Sequence, residues 1–93
     1  MTNSGEPKED SGLATRRMWW RSRRGLRELD LLLLPFVEDV YPSLGDADRA
    51  VYLRLLDNED PELLAWFTGR AVPLDPELSA MITLIRSHGR PVS

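Results

Sequence analysis

The sequence predicts an all-α protein, a compact antiparallel bundle of five helices, and three observations lead to that prediction. Apolar residues recur at spacings of three and four, with no stretch of strict alternation that would indicate a strand. Proline, glycine and aspartate interrupt the chain at short intervals, as they do at helix ends. With 93 residues, the chain can build one modest core but not two ordinary domains.

The two ends of the chain differ from its centre in composition. Residues 1–13 are rich in Gly, Ser, Pro and charge and have no periodic apolar face, so burial cannot offset their ordering entropy. We therefore predict a disordered tail over 1–13, a helical domain over 14–88 and a C-terminal tail over 89–93. The first residues lack the apolar stretch of a signal peptide, and the apolar run 31–37 is too short to span a bilayer. We expect a cytoplasmic protein without membrane contact.

The first predicted helix covers Thr15 to Arg24, with Met18 and one or both of Trp19 and Trp20 on its apolar side. Gly25 follows at the position where a helix commonly ends in a residue with positive φ.

The second predicted helix starts at Leu26 and has a wide apolar face. Pro35 lies inside it and lacks a backbone donor, so we expect a kink or a split at that point. The segment "YPSLGD" should end it. The apolar positions at helical spacing are Leu29, Leu32, Leu33, Phe36, Val37, Val40 and Leu44.

Three shorter helices complete the prediction. The third covers Asp46 to Leu56. The fourth begins with "DPEL", in which Asp60 is the expected N-cap and Pro61 the first helical residue, and it ends at Gly69. The same four letters recur at 75–78 and open the fifth helix. Its predicted apolar stripe consists of Leu74, Leu78, Met81, Ile82 and Ile85.

Charge is distributed unevenly along the chain, whose net charge is -3. Residues 16–30 carry six arginines against two acids, whereas residues 31–88 carry ten acids against four arginines. A basic patch on an acidic body favours an oriented encounter with a charged partner.

The residue inventory argues against an enzyme. Without cysteine there is no thiol nucleophile and no thiolate metal site. The single histidine, His88, falls in the polar C-terminal part and is expected to be solvated, while Glu38 and Asp39 are adjacent and so do not share a helix face. No phosphate-binding glycine motif occurs. We predict no catalytic residue, no metal ligand and no cofactor held by this chain alone.

Two tryptophans among arginines leave an alternative open. Cations for phosphate and flat rings for stacking are typical of single-stranded nucleic-acid sites, so Trp19 and Trp20 in the first helix could indicate a nucleic-acid-binding or regulatory protein. Because adjacent residues point about 100° apart on a helix, the two rings cannot both point to the centre of the core. We favour one packed ring and one exposed ring, and consider nucleic acid an improbable partner for an acidic protein.

The corner after the first helix is the best candidate site. A glycine cap explains Gly25, but it does not explain the surrounding guanidinium groups, which suit bidentate hydrogen bonding to a protein. We expect these side chains to point outward, with none buried in the bundle. The predicted partner-binding residues are Arg24, Gly25, Glu28, Arg23, Arg27 and Trp20.

The same residues carry a resemblance to a known family. Arg24, Gly25 and Glu28 form an RGxxE motif, which is followed by "LLLPFVEDVYPSL", by "YLRLLDNEDPELLAWFTG" and by the helix 78–86. In this order the segments resemble the FAD assembly factor family over residues 15–88. One small departure is Gly45, where a serine-like helix cap would be usual.

The resemblance implies a five-helix assembly chaperone that promotes covalent FAD attachment to the flavoprotein subunit of succinate dehydrogenase or fumarate reductase. The RGxxE surface would face the client's flavin domain, and FAD would belong to the client. A monomer is expected. Some relatives have been described as antitoxins, so an antitoxin-like regulatory role belongs with the nucleic-acid alternative.

Overall fold

The computed structural model describes the backbone of residues 6–89 and the side chains of residues 12–88. The regular secondary structure of the described chain is all helical, with no strand, which confirms the all-α prediction. A 3₁₀ turn, Tyr41–Ser43, follows the second helix. The five helices are α1 (Glu6–Ser22), α2 (Arg27–Asp39), α3 (Asp46–Leu56), α4 (Asp60–Phe67) and α5 (Pro76–Gly89).

Helix α1 is longer than the sequence predicts. It begins at Glu6 instead of Thr15, so residues 6–13 are helical where we expected a disordered tail. Pro7 is compatible with this start because the first turn of a helix leaves its backbone donors without intrahelical acceptors. Gly89, which we expected in the C-terminal tail, is the last residue of α5. The remaining predicted tail residues, 1–5 and 90–93, lie outside the described part of the chain.

Helix α2 is not split at Pro35. It continues from Arg27 to Asp39 with the proline inside. The residues on both sides of the proline are held by the core, since Leu33, Phe36 and Val37 are fully buried. The proline removes one backbone hydrogen bond, and this packing keeps the helix continuous.

All five helices contribute to one hydrophobic core, as the apolar spacing predicts. Tyr52 and Phe36 are its largest fully buried side chains, and their rings stack with centroids 5.7 Å apart. The predicted stripe of α5 is wrong at Leu74, which is fully exposed. Leu74 precedes the first residue of α5, so it lies in a loop where helical spacing no longer determines direction. The buried apolar residues are Met18, Leu29, Leu33, Phe36, Val37, Tyr41, Val51, Tyr52, Leu55, Leu56, Leu63, Phe67, Met81, Ile82 and Ile85.

The two "DPEL" segments do not cap their helices in the same way. Asp75 does so as expected, because its Oδ1 accepts a hydrogen bond of 2.9 Å from the backbone N–H of Glu77. The prediction for Asp60 is wrong: the N-cap of α4 is Glu59, and Asp60 is the first residue of the helix. The carboxylate of Asp60 instead accepts a hydrogen bond from an arginine of another segment.

The C-terminal histidine also differs from expectation. His88 lies in the last turn of α5, and its Nε2 is 3.0 Å from Asp39 Oδ2 at the end of α2. Its ring meets Phe36 edge-on. His88 is exposed, as expected, but it joins the ends of two helices instead of belonging to a tail.

Helices α1 and α2 run antiparallel, side by side. Near the corner, the backbone N–H of Arg24 donates to Asp30 Oδ1 over 2.8 Å. Farther along, Trp19 Nε1 donates to Glu38 Oε2, also over 2.8 Å. Among the described helices, none combines the length and the apolar character needed to cross a bilayer.

Candidate functional site

The α1–α2 corner consists of residues 23–26. Helix α1 ends where the N–H of Arg23 bonds to the carbonyl of Trp19 over 3.1 Å. Gly25 then adopts a φ of 80°, which confirms the predicted left-handed position. A Cβ placed on Gly25 would meet no atom within 4 Å, so the outer side of this backbone is open.

Arg24 does not point outward, and this prediction is wrong. Its Nε donates to Asp60 Oδ1 over 2.8 Å, its Nη1 to the carbonyl of Leu56 over 3.0 Å, and its Nη2 to the carbonyl of Asn58 over 2.8 Å. Only 17% of the side chain is exposed. We call this set of contacts the Arg24 clamp.

The clamp has a simple physical origin. Leu56 is the last residue of α3, and the carbonyls at a helix C-terminus lack intrahelical donors. The guanidinium supplies several donors in a planar fork, so one side chain can satisfy the Leu56 carbonyl, the Asn58 carbonyl in the following turn and a carboxylate together. The corner between α1 and α2 is thereby fixed to the turn between α3 and α4.

A second buried contact lies beneath the corner. Ser22, the last residue of α1, is fully buried, and its Oγ is 2.7 Å from the hydroxyl of Tyr52 on α3. Burial raises the pKa of Tyr52 well above its ordinary value, an effect that the hydrogen bond to Ser22 and the nearby Arg24 charge partly oppose. The end of α1 is therefore attached to α3 by this bond and by the clamp.

The other predicted partner-binding side chains are exposed. Arg23, Arg27 and Glu28 are exposed, and their side chains make no hydrogen bond or ion pair to any described residue. Trp20 is 62% exposed. We call the surface formed by Trp20, Arg23, Gly25, Arg27 and Glu28 the docking edge.

The two adjacent tryptophans have different environments, as their positions on one helix predict. Trp19 is half-buried, packs on the core and donates to Glu38. The ring of Trp20 stands edge-on to that of Trp19, with centroids 5.0 Å apart. Trp20 is therefore held in place by an aromatic neighbour while most of its surface remains available.

An open groove that shares Arg23, Gly25 and Arg27 with the docking edge was not predicted. It lies between α1 and α2 and has a volume of about 530 Å³. Leu31, Leu34 and Pro35 supply its apolar part, and Leu31 is 61% exposed. The signal was present in the sequence, because residues 27, 31, 34, 35 and 38 form a second stripe at helical spacing beside the buried one.

Comparison with known proteins matches this bundle to one family. The family model Sdh5, described as "Flavinator of succinate dehydrogenase", matches residues 16–89. The chain is 49% identical over 75 residues to the FAD assembly factor SdhE of Shewanella oneidensis, covering 81% of this chain and 92% of the relative. It is also 47% identical over 75 residues to the protein of the same name from Pseudomonas putida. That match covers 81% of this chain and 89% of the relative.

A third relative, the FAD assembly factor SdhE of Pseudomonas aeruginosa, is 43% identical over 76 residues, covering 82% of this chain and 90% of the relative. The matched region contains the whole docking edge, the clamp and the groove. These similarities confirm the resemblance found in the sequence, and the chain belongs to the Sdh5 family of succinate dehydrogenase flavinators.

Proposed function

We propose that this protein is an assembly factor that promotes covalent FAD attachment to the flavoprotein subunit of succinate dehydrogenase. The observation that carries the proposal is the family match, which covers residues 16–89 and includes the RGxxE corner. That match supports an assembly factor over the nucleic-acid-binding or antitoxin-like alternative. Fumarate reductase, whose flavoprotein subunit is also a candidate client, belongs to the same proposal.

The docking edge is the surface that contacts the client. Its charged side chains have no partners among the described residues, so binding can pair them without breaking internal contacts. Gly25 leaves room for close approach of another backbone. Trp20 adds a large exposed ring, a residue type enriched at protein interfaces.

Arg24 contributes in a different way from the other motif residues. Its guanidinium is occupied by Asp60 and by two carbonyls, so in this proposal it positions the docking edge without contacting the client. The RGxxE motif is thus divided between a positioning residue, Arg24, and two contacting residues, Gly25 and Glu28.

The protein supplies no catalytic group in this mechanism. Flavin attachment requires a client side chain and the flavin to be held at reacting distance, and small misplacements cost large factors in rate. A rigid bundle that binds the reactive arrangement of the client raises its population by about tenfold for each 1.4 kcal/mol of differential affinity. FAD stays with the client, and the factor acts as a monomer that leaves after attachment.

The test compares two glycines of equal backbone conformation. Gly25 and Gly69 have φ values of 80° and 81°, and an added Cβ would meet no atom within 4 Å at either position. Gly25→Ala and Gly69→Ala should therefore have similar strain, but only Gly25 lies on the docking edge. Each variant is co-expressed with the flavoprotein subunit, and covalent flavin is measured by in-gel fluorescence.

We expect Gly25→Ala to reduce covalent flavin strongly and Gly69→Ala to leave it near the wild-type level. Thermal unfolding of both purified variants gives the matched stability control. Equal flavin attachment by wild type and Gly25→Ala, or no dependence of the client on this protein at all, would contradict the proposal.

A further inference from the structure

The groove between α1 and α2 combines an apolar surface with two arginines. Leu31, Leu34 and Pro35 form the apolar part, beside the ring of Trp19. Arg23 and Arg27 line the end near Gly25. A groove of this volume can receive more than one side chain of a partner.

Two arginines and two carboxylates line the groove, so their charges balance in number, but their hydrogen bonding within the bundle differs. Asp30 Oδ1 accepts the backbone N–H of Arg24, and Glu38 Oε2 accepts the indole N–H of Trp19. The side chains of Arg23 and Arg27, in contrast, bond to no described residue. The groove therefore presents two guanidinium groups that no carboxylate of the described chain pairs with, and both are available for a carboxylate of a partner.

The groove is formed before any partner arrives. The opposite face of α2 is sealed in the core through Leu29, Leu33 and Phe36, all fully buried. Trp19 is held on the other wall by its bond to Glu38. A preformed site avoids part of the ordering cost of association, so modest contacts there can give useful affinity.

We infer that this groove binds a segment of the flavoprotein client in which a carboxylate side chain lies next to an apolar one. The carboxylate pairs with Arg27 or Arg23, and the apolar side chain covers Leu31 and Pro35. The inference rests on the proposed function and names the chemistry of the client segment. A second copy of this chain fits the groove poorly, because a two-fold contact would place the same unpaired arginines against each other.

The experiment measures the affinity of purified variants for the purified flavoprotein subunit of succinate dehydrogenase. Leu31→Ser removes the exposed apolar surface of the groove, and Leu74→Ser is its control, because Leu74 is an exposed leucine outside the groove. Arg27→Glu reverses the charge, and Arg70→Glu is its control at an exposed arginine outside the groove. Melting temperatures show whether each pair of variants is equally folded.

We expect Leu31→Ser to weaken binding by about 10- to 100-fold, the factor associated with losing the burial of one leucine side chain. Arg27→Glu should weaken binding at least as much and make the remaining affinity less sensitive to salt. Both control variants should bind like the wild type. If Leu31→Ser and Arg27→Glu bind the client like the wild type, the inference that the groove binds the client is wrong. If Gly25→Ala nevertheless loses flavin attachment, the proposed function still holds.

The nature of the occupant is tested by a photoreactive amino acid at position 31, followed by mass spectrometry of the crosslinked client peptide. A crosslinked segment with Asp or Glu beside an apolar residue supports the inference, and a segment without an acid overturns it. Sedimentation of the protein alone provides the remaining check. Self-association that Leu31→Ser abolishes would mean that the groove binds a second copy, which also overturns the inference.

Discussion

The Arg24 clamp leads to a quantitative prediction for Arg24→Ala. The substitution removes three hydrogen bonds from a positively charged donor and leaves the carboxylate of Asp60 and the carbonyls of Leu56 and Asn58 without that partner. It also separates the α1–α2 corner from the α3–α4 turn. Both stability and client binding should therefore fall.

The expected loss of stability follows from the exposure of the pair. Exposed ion pairs contribute about 0–1 kcal/mol, whereas breaking a buried pair costs about 3–5 kcal/mol. The Arg24–Asp60 pair lies between these limits, with side chains 17% and 37% exposed. We expect a loss of about 2–3 kcal/mol, which corresponds to a decrease in Tm of about 10–20 °C for a domain of this size.

Arg54→Ala is the matched control. Arg54 also makes three side-chain hydrogen bonds, to Asp75 and Glu77, but 44% of it is exposed. Its loss should cost less than about 1 kcal/mol. Urea unfolding followed by circular dichroism gives both free energies, and similar values for Arg24→Ala and Arg54→Ala would refute the reasoning from burial.

A second comparison separates positioning from direct contact. If Arg24 acts through Asp60, then Asp60→Ala should also weaken client binding, and the double variant should be hardly worse than Arg24→Ala. The measurement is made at low temperature, where all variants are folded. If Arg24→Ala weakens client binding while Asp60→Ala keeps wild-type affinity, then Arg24 contacts the client directly.

Three further predictions concern stability. Gly25→Ala and Gly69→Ala should each lose about 1–2 kcal/mol in chemical unfolding, because both positions have positive φ. Tyr52→Phe should cost about 1 kcal/mol at neutral pH by leaving the Ser22 hydroxyl without its partner. Because burial raises the pKa of Tyr52 above its ordinary 10.0, the folded state keeps the phenol proton at pH values where the unfolded state loses it. Wild-type stability should therefore fall as pH rises above about 10, and Tyr52→Phe should reduce that fall in urea titrations across this range. Asp75→Ala should cost about 1 kcal/mol by removing the α5 cap, and a loss near zero would contradict the capping geometry.

The local features of the bundle could be predicted from the sequence. Helix α3 has the predicted bounds, Gly25 has the predicted positive φ, and Asp75 caps α5 as expected. These features depend on residues a few positions apart, whose spacing is visible in the chain. The start of α1 was less predictable, because no apolar stripe marks residues 6–13.

The features that were mispredicted involve distant residues. Asp60 and Asp75 begin identical "DPEL" segments, yet one bonds to Arg24 and the other caps its own helix. Arg24 is surrounded in sequence by exposed arginines, but it alone among Arg21, Arg23, Arg24 and Arg27 reaches the open carbonyls at the end of α3. Such pairings depend on which helix ends meet, and periodicity carries no information about that.

The sequence by itself determined the all-helical architecture, the membership in a family of assembly factors and the corner at which the motif lies. Only the tertiary structure decided how the motif is divided, with Arg24 turned inward and the other residues exposed, and only it revealed the groove beside them. The physical reason is that helix formation follows from neighbours three or four residues apart, whereas the direction of a long charged side chain depends on where unpaired backbone groups of other helices come to lie.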